Sequence, residues 1–241
     1  MLRTKWFALL GTVIFLAGEG LALSLSGVVI WAELEARFRS HYNAEQIMPL
    51  ECPLMIAPFE TAVIEGTAIN FTEKDIQPVI RTEFSRDHGT SESSEPLPLT
   101  SRESRPLKWT ATSEDIIFDR LILFNVLQSQ YRDNPARRGS CGIVLYSLWG
   151  LGGTPSFLIG LTASILGLLI GGWLWIRSLR PLGSLHLNIA RAGAVLAGIT
   201  ILALLSTSAH WWGLALILNT VSLLFLGTVF IDFLLFPQHN K

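Results

Sequence analysis

The chain has 241 residues, of which 50% are hydrophobic and 15% charged, with a formal net charge of −1 and a mean hydropathy of +0.44. This composition is typical of an integral membrane protein and argues against a single soluble globule. Residues 32–138 hold 12 of the 18 basic and 17 of the 19 acidic side chains. This mildly acidic middle segment has no basic patch of the kind that binds nucleic acid, so we expect no nucleic-acid partner.

Four apolar segments are long enough to cross a hydrocarbon core, which is about 30 Å thick and needs roughly 20 helical residues. They are residues 6–31, 157–176, 189–208 and 212–236. The sequence therefore predicts four transmembrane helices in a lipid bilayer. It divides the chain into a first helix at 1–31, a juxtamembrane segment at 32–49, a β domain at 50–150 and a three-helix region at 151–241.

Basic residues outside the middle segment set the expected orientation. They flank the apolar segments as follows: Arg3, Lys5, Arg177, Arg180, Arg191 and Lys241. Lys and Arg concentrate in cytoplasmic loops. Both termini are therefore predicted to be cytoplasmic and residues 32–156 extracytoplasmic. The amino-terminal stretch also resembles a cleavable secretory signal, but its apolar run reaches Trp31, beyond the 7–15 residues of such signals, and favours an uncleaved signal-anchor.

The juxtamembrane segment carries a helical pattern. Apolar side chains recur every fourth residue, and acid-to-base pairs have the same spacing: Leu34, Phe38 and Tyr42, with Glu33–Arg37 and Glu35–Arg39. The first helix is thus predicted to continue for two or three turns. We interpret this continuation as a solvated stalk, with a docked helix as the alternative.

Short strands separated by turns begin at Leu50. Six stretches suit half-buried strands, and they read ECPLMI, ETAVIEGTAIN, IQPVIRTEF, RPLKWTAT, DRLILFNVLQSQY and GSCGIVLYSLW. They predict an all-β sandwich inserted between the first and second transmembrane helices. Residues 87–105 are rich in Ser, Glu and Pro and are predicted to form a mobile loop.

Immunoglobulin-like modules of the CARDB and bacterial adhesion type open with an extended strand, an Asn turn and a second strand. The chain resembles this opening in ETAVIEGTAINFTEKDIQPVIRTEF, and it is similar to their closing half in SRESRPLKWTATSEDIIFDRLILFNVL. The resemblance covers residues 50–148. As a whole, the chain resembles uncharacterised bacterial membrane proteins with one such module between the first two spans. It implies a module that binds or packs rather than catalyses, and it carries over no functional residues.

Cys52 and Cys141 are the two cysteines of the chain, in the first and last of the six stretches. Both are predicted to lie outside the cytoplasm, where disulfides persist, so we predict a structural bridge between them. Free thiols and a redox or metal role are the alternatives.

Three acidic or amide side chains fall within the apolar segments: Glu19, Asn219 and Asp232. A carboxylate at the position of Glu19 costs at least about 2.5–3.5 kcal/mol on insertion scales. The functional interpretation is a proton or ligand site. The structural interpretation is a hydrogen bond between helices, to Asn219, Thr220 or Thr200. Asp232 is close enough to the cytoplasmic end of its helix to reach water.

The second apolar segment carries small residues on one helical face: Gly160, Ser164, Gly167 and Gly171. Such a stripe lets two helix backbones approach closely. The partner helix can belong to this chain or to another protein, and the sequence leaves both open.

None of the five histidines has the spacing of a metal-binding or haem-binding motif, and no cofactor is predicted. We therefore predict a non-catalytic membrane protein, an accessory or assembly subunit that displays an extracytoplasmic binding domain. Its expected partner is another membrane protein or a second copy, and any small-molecule ligand is unknown. The alternative is a small transporter or proton-coupled component that uses Glu19. A membrane enzyme is a third possibility, for which no acid–base pair is recognisable.

Overall fold

The computed structural model describes residues 2–40, 42, 44–87, 89–178 and 184–235, and within the helices it describes the side chains of 6–39, 153–178 and 191–228. The flanking residues Arg3, Lys5, Arg180 and Lys241 and the side chain of Asp232 lie outside this description. The chain divides into two compact units. One contains residues up to 30 and from 158 onward, and the other is Trp31–Phe157.

Helices account for the first unit. Their bounds are α1 Leu2–Arg39, α2 Gly153–Ser178, α3 Ser184–Ser208 and α4 Trp212–Leu235. By length and composition, three described helical stretches can cross a membrane: Trp6–Arg39, Gly153–Ser178 and Arg191–Ser208. The described apolar part of α4, Trp212–Thr228, is shorter, so the described residues supply three spans rather than the four predicted.

A tight hairpin joins the last two helices. Only residues 209–211 separate α3 from α4, and His210 adopts a left-handed backbone with φ of 59°. The N–H of Trp211 donates to the C=O of Ser206 at 2.8 Å. This bond satisfies a carbonyl at the end of α3, as left-handed helix caps do.

Strands and short bridging segments make up most of the second unit. Their bounds are β1 Gln46–Ile47, β2 Leu50–Glu51, β3 Met55–Ile56, β4 Ala62–Ile69, β5 Val79–Arg86, β6 Gly89–Pro96, β7 Ser104–Ala111, β8 Ile116–Ile117, β9 Leu121–Gln128 and β10 Arg137–Leu145. Each of the six predicted stretches overlaps at least one of these strands.

The strands form two sheets. The larger has the order β1-β10-β9-β5-β6, with β3 also paired to β10 and β8 to β9, and the smaller has the order β2-β4-β7. Both sheets contribute side chains to one buried core, which includes Ile64 from β4 and Phe124 from β9. The Trp109 ring of β7 lies 5.1 Å from the Phe124 ring, measured between centroids. The two sheets therefore pack on a shared hydrophobic core.

The mobile loop predicted at 87–105 is wrong over β6. This strand pairs with β5 in an antiparallel register that runs from Val79–Pro96 to Arg86–Gly89. Its side chains are almost all exposed, so the stretch has the composition of a loop. It is ordered because an edge strand is held by backbone hydrogen bonds to its neighbour, which do not depend on apolar side chains.

The end of α1 belongs to the β unit. Ala32 and Ala36 are fully buried, and a side chain at Gly142 of β10 would collide with the Ala32 backbone. The predicted Glu35–Arg39 ion pair is present, at 3.1 Å between Oε2 and Nε, whereas Phe38 is exposed. The structure thus favours the docked helix over the solvated stalk, with Ala32 and Ala36 as its buried residues.

Candidate functional site

The predicted bridge between Cys52 and Cys141 is present, with Cα atoms 6.6 Å apart. Cys52 follows β2 of the smaller sheet, and Cys141 lies in β10 of the larger one. The bond therefore fastens the two sheets together near the start and the end of the β unit. Closing a loop of this length stabilises the folded state by about 4 to 5 kcal/mol in the chain-entropy account.

The small-residue stripe of α2 packs on α1 of the same chain. A Cβ added at Gly167 would lie 2.9 Å from the Gly18 Cα, and one added at Gly171 would collide with the Phe15 backbone. Ser164 is buried and donates to the Gly160 carbonyl at 2.8 Å, whereas a Cβ added at Gly160 would be in ordinary contact with the Leu25 side chain. The two glycines of the GxxxG pair are thus used within the chain.

Glu19 joins three helices of the first unit. Its Oε1 accepts a hydrogen bond from Thr200 Oγ1 of α3 at 2.7 Å, and Thr200 Oγ1 lies 3.2 Å from Ser222 Oγ of α4. All three side chains are at most 1% exposed. Because the Thr200 hydroxyl has one proton, Ser222 donates to Thr200 when Thr200 donates to Glu19.

A second polar cluster joins the same three helices. Asn219 Nδ2 donates to Ser26 Oγ at 2.7 Å, and Ser26 Oγ lies 2.6 Å from Thr207 Oγ1. Thr207 donates to the Ala203 carbonyl at 2.9 Å. Each hydroxyl has one proton, so the bonds run in one direction, from Asn219 through Ser26 and Thr207 to the Ala203 carbonyl.

Two buried acceptors in these clusters have no hydrogen-bond partner among the described residues: Glu19 Oε2 and Asn219 Oδ1. Ser26 of the second cluster follows Glu19 in α1, and Phe15 precedes Glu19 by one helical turn. Phe15 packs with Leu168 and Leu196 in an apolar layer. The buried polar groups therefore lie on one side of this layer. An unmet acceptor in a water-poor interior is costly, and a proton or a water molecule is the simplest group that would satisfy it.

Part of these clusters was predicted from the sequence. Thr200 is the partner of Glu19, as one of the three expected residues, whereas Thr220 donates to the Leu216 carbonyl in its own helix. Three further residues complete the clusters and were not predicted: Ser26, Thr207 and Ser222. A usable signal was present, because Ser26 follows Glu19 by seven residues and Thr207 follows Thr200 by seven, which is one helical face.

A groove of 450 Å³ lies in the β unit between β6 and β7, the edge strands of the two sheets. Its apolar surface includes Phe84 of β5 and Leu107 and Trp109 of β7. The Phe84 and Trp109 rings both lie against Phe124, at 4.7 and 5.1 Å between centroids. The groove therefore exposes one flank of the aromatic core, and its volume is in the range of ligand sites.

The two charged residues that line this groove differ in their surroundings. Lys108 lies opposite Glu65 in the β4–β7 pair, and its Nζ donates to Glu65 Oε1 at 2.7 Å, which raises the pKa of Lys108. Glu95 lies opposite Ile80, so it is on the core-facing side of the larger sheet. Among the described residues, no hydrogen bond or ion pair engages the Glu95 carboxylate.

A second groove of 520 Å³ is lined by three carboxylates: Glu51, Glu60 and Glu65. Glu60 Oε2 accepts from the N–H groups of Ala57 and Gly153 at 2.7 and 2.8 Å, and these bonds hold the pKa of Glu60 below its usual value. Glu60 thus caps the first turn of α2. Over the part of the chain that is described, no cluster of three or more His, Cys, Asp or Glu side chains is arranged to hold a metal ion.

The chain matches no protein-family model, and no curated protein matches it.

Proposed function

We propose that this protein is a non-catalytic membrane protein that displays its β unit for binding, as an accessory or assembly subunit of a membrane complex. The observation that carries the proposal is the groove between β6 and β7. It combines an aromatic floor with a strand edge and a carboxylate that no described residue pairs with. It belongs to a unit with its own core and disulfide, and the same chain carries helices long enough to cross a membrane.

The proposed topology has four spans, with both termini in the cytoplasm and residues 32–156 outside. The length of α4 supports the fourth span, because the 24 residues of Trp212–Leu235 extend about 36 Å at 1.5 Å per residue. The positions of the basic residues support the orientation. An oxidising compartment for the β unit also agrees with the disulfide.

We assign the β unit to the immunoglobulin-like sandwiches as part of the same proposal. Strand order supports this assignment. In the larger sheet, the strand order β10-β9-β5-β6 corresponds to strands G-F-C-C′ of such folds. In the smaller sheet, the order β2-β4-β7 corresponds to strands A-B-E. One departure is that the disulfide joins the first and last strand regions, whereas antibody domains bridge strands B and F.

Purification of the tagged full-length chain from its native membranes in mild detergent tests the proposal. We expect a second protein, or a second copy, to co-purify in a fixed ratio. A matched sample in which the tag is carried by an unrelated four-span protein controls for adventitious capture. Recovery of a monomer alone, after crosslinking in intact cells as well as without it, would contradict the proposal.

A second candidate function is proton coupling through Glu19, favoured by the unmet Oε2 atom of that buried carboxyl. Its test is proton uptake by vesicles that contain the purified chain and a pH-sensitive dye. Glu19→Gln keeps the shape and the Thr200 bond but cannot exchange a proton, so it should abolish uptake while leaving expression unchanged. Thr207→Ala, in the second cluster, serves as the control for loss of a buried polar contact. Equal uptake by wild type and Glu19→Gln would remove this candidate.

A further inference from the structure

We infer that the open edge of β7 binds an extended polypeptide segment as an added strand, with alternate apolar side chains in the groove and a basic side chain beside Glu95. The inference rests on the proposed binding function and specifies the class of its partner. It follows from the free backbone groups of β7, the shape and polarity of the groove, and its unbalanced charge.

The register identifies which backbone groups of β7 are free. The N–H of Asn70 donates to the C=O of Glu103 at 2.9 Å, one step beyond the last β4–β7 pair. Opposed residues in an antiparallel ladder alternate between bonded and non-bonded pairs. Leu107 and Trp109 therefore bond to β4, and the N–H and C=O groups of Lys108 and Thr110 point to the open edge.

Proline limits where the new strand can pair. Pro106 shares the orientation of Lys108 and Thr110 and has no N–H, so the open edge offers only an acceptor at that position. Proline on an edge strand also guards against unspecific pairing between sheets. The productive pairing is thus restricted to the half of β7 that contains Lys108 and Thr110, which is the half that borders the groove.

The groove accepts side chains of an added strand. Alternate residues of a strand point to the same side, about 6.6 Å apart. A strand beside β7 would therefore send alternate side chains toward Trp109, Leu107 and Phe84, which are only partly buried. The far wall of the groove is polar, because it is formed by Ser93 and Glu95 of β6. Their pairing with Thr82 and Ile80 of β5 places both side chains on the groove side of the sheet.

Charge selects a basic residue in the bound segment. Lys108 already pairs with Glu65 on the outer face of the smaller sheet, so it cannot compensate Glu95 on the core side of the other sheet. A second copy of β7 is a poorer occupant, since its own Leu107 and Trp109 pack on its core and its Arg105 pairs with Glu103 at 2.7 Å. A free segment with one Lys or Arg among apolar residues meets both requirements.

Fluorescence anisotropy of a labelled synthetic peptide with the full-length chain in detergent micelles tests the inference. The probe reads Ser-Thr-Val-Thr-Val-Thr-Lys-Thr-Ser, which places two Val and the Lys on one side. Thr110→Pro removes an N–H at the open edge without touching the bonds to β4. We expect it to weaken binding about three- to tenfold, the value of one lost hydrogen bond. Thr110→Ser should bind as wild type does.

Two further comparisons separate binding from misfolding. Glu95→Lys should weaken binding of the Lys probe and strengthen binding of a probe in which Glu replaces that Lys. The N–H of Leu97 donates to the C=O of Pro78, and bonded positions alternate along β6, so the backbone N–H of Ser94 points away from β5 to the open edge. Ser94→Pro therefore removes an N–H from the open edge of β6. We expect Ser94→Pro to leave the affinity unchanged.

Several results would overturn the inference: no binding of the probe, equal binding of a scrambled peptide, or equal affinity for wild type and Thr110→Pro. Self-association of the wild type that Thr110→Pro abolishes would replace the peptide with a second copy and also overturn it. If a partner still co-purifies with Thr110→Pro in its normal ratio, the inference fails but the proposed function stands.

Discussion

The close contact of α1 and α2 predicts opposite effects for two glycines that are two residues apart in α1. A Cβ added at Gly18 would lie 2.9 Å from the Leu168 N and 3.0 Å from the Ser164 O, whereas one added at Gly20 would have nothing within 4 Å. Ordinary contacts lie at about 3.5–4.0 Å, so Gly18→Ala must push the helices apart by about 0.5–1 Å.

Overpacking of this kind costs about 1–3 kcal/mol, while alanine at an open helical position gains up to about 1 kcal/mol of helix propensity. Both substitutions gain this propensity, so we expect Gly18→Ala to be less stable than Gly20→Ala by the overpacking cost alone, about 1–3 kcal/mol. Unfolding of the purified chain by added SDS in mixed micelles, followed by tryptophan fluorescence, measures the difference. Equal midpoints for the two variants would refute the packing of α1 on α2.

Three further predictions concern the β unit. Replacing Cys52 and Cys141 with Ser should lower the free energy of unfolding by about 4 kcal/mol in urea titrations, and reducing agent should then have no further effect. Hydrogen bonds from backbone N–H groups lower the pKa of Glu60 in the folded state. Glu60 therefore stabilises the fold fully above its pKa in the unfolded chain, about 4.3, and this stabilisation is lost as the pH falls through its lower pKa in the folded state. Melting curves of Glu60→Gln should therefore depend less on pH below about 4.5; an unchanged pH dependence would contradict the capping role. Gly142→Val should expose Ala32 to hydrogen exchange, whereas protection equal to wild type would argue against the docked helix.

The sequence predicted those strands whose side chains report their burial. In β4, Ala62, Ile64 and Ala68 are buried and alternate with exposed or partly buried residues. Strand β9 is apolar along most of its length because both of its faces are covered. For β6, side-chain composition carries no such signal, since the strand is held by its backbone on a sheet edge. Composition alone therefore assigned it to a loop.

The candidate site was less predictable than the fold. Glu19 stands out in an apolar segment, and Thr200 was one of its three expected partners. The groove depends on β5, β6 and β7 meeting at the open side of two sheets, which no local pattern specifies. In particular, Glu95 looked like one acid in a solvated stretch, and only the pairing with Ile80 places it on the core-facing side.

The energetic role of the buried clusters also explains the arrangement of the helices. Lipid tails are as apolar as leucine, so helix association in a membrane depends on close packing and on polar contacts. Here, glycines bring α1 and α2 together, while Thr200 and Ser222 connect α1 through Glu19 to α3 and α4. The glycine contacts thus join α1 to α2, and the hydrogen bonds of Glu19 join α1 to α3 and α4.

The proposed function requires the β unit to lie outside the cytoplasm, on a chain that spans the membrane. Labelling of intact cells with a membrane-impermeant maleimide tests it most directly, using Ser94→Cys on the exposed edge of β6 in a chain whose two native cysteines are replaced with Ser. We predict that this thiol is labelled in intact cells to the same extent as after permeabilisation. Labelling only after permeabilisation would contradict the claim.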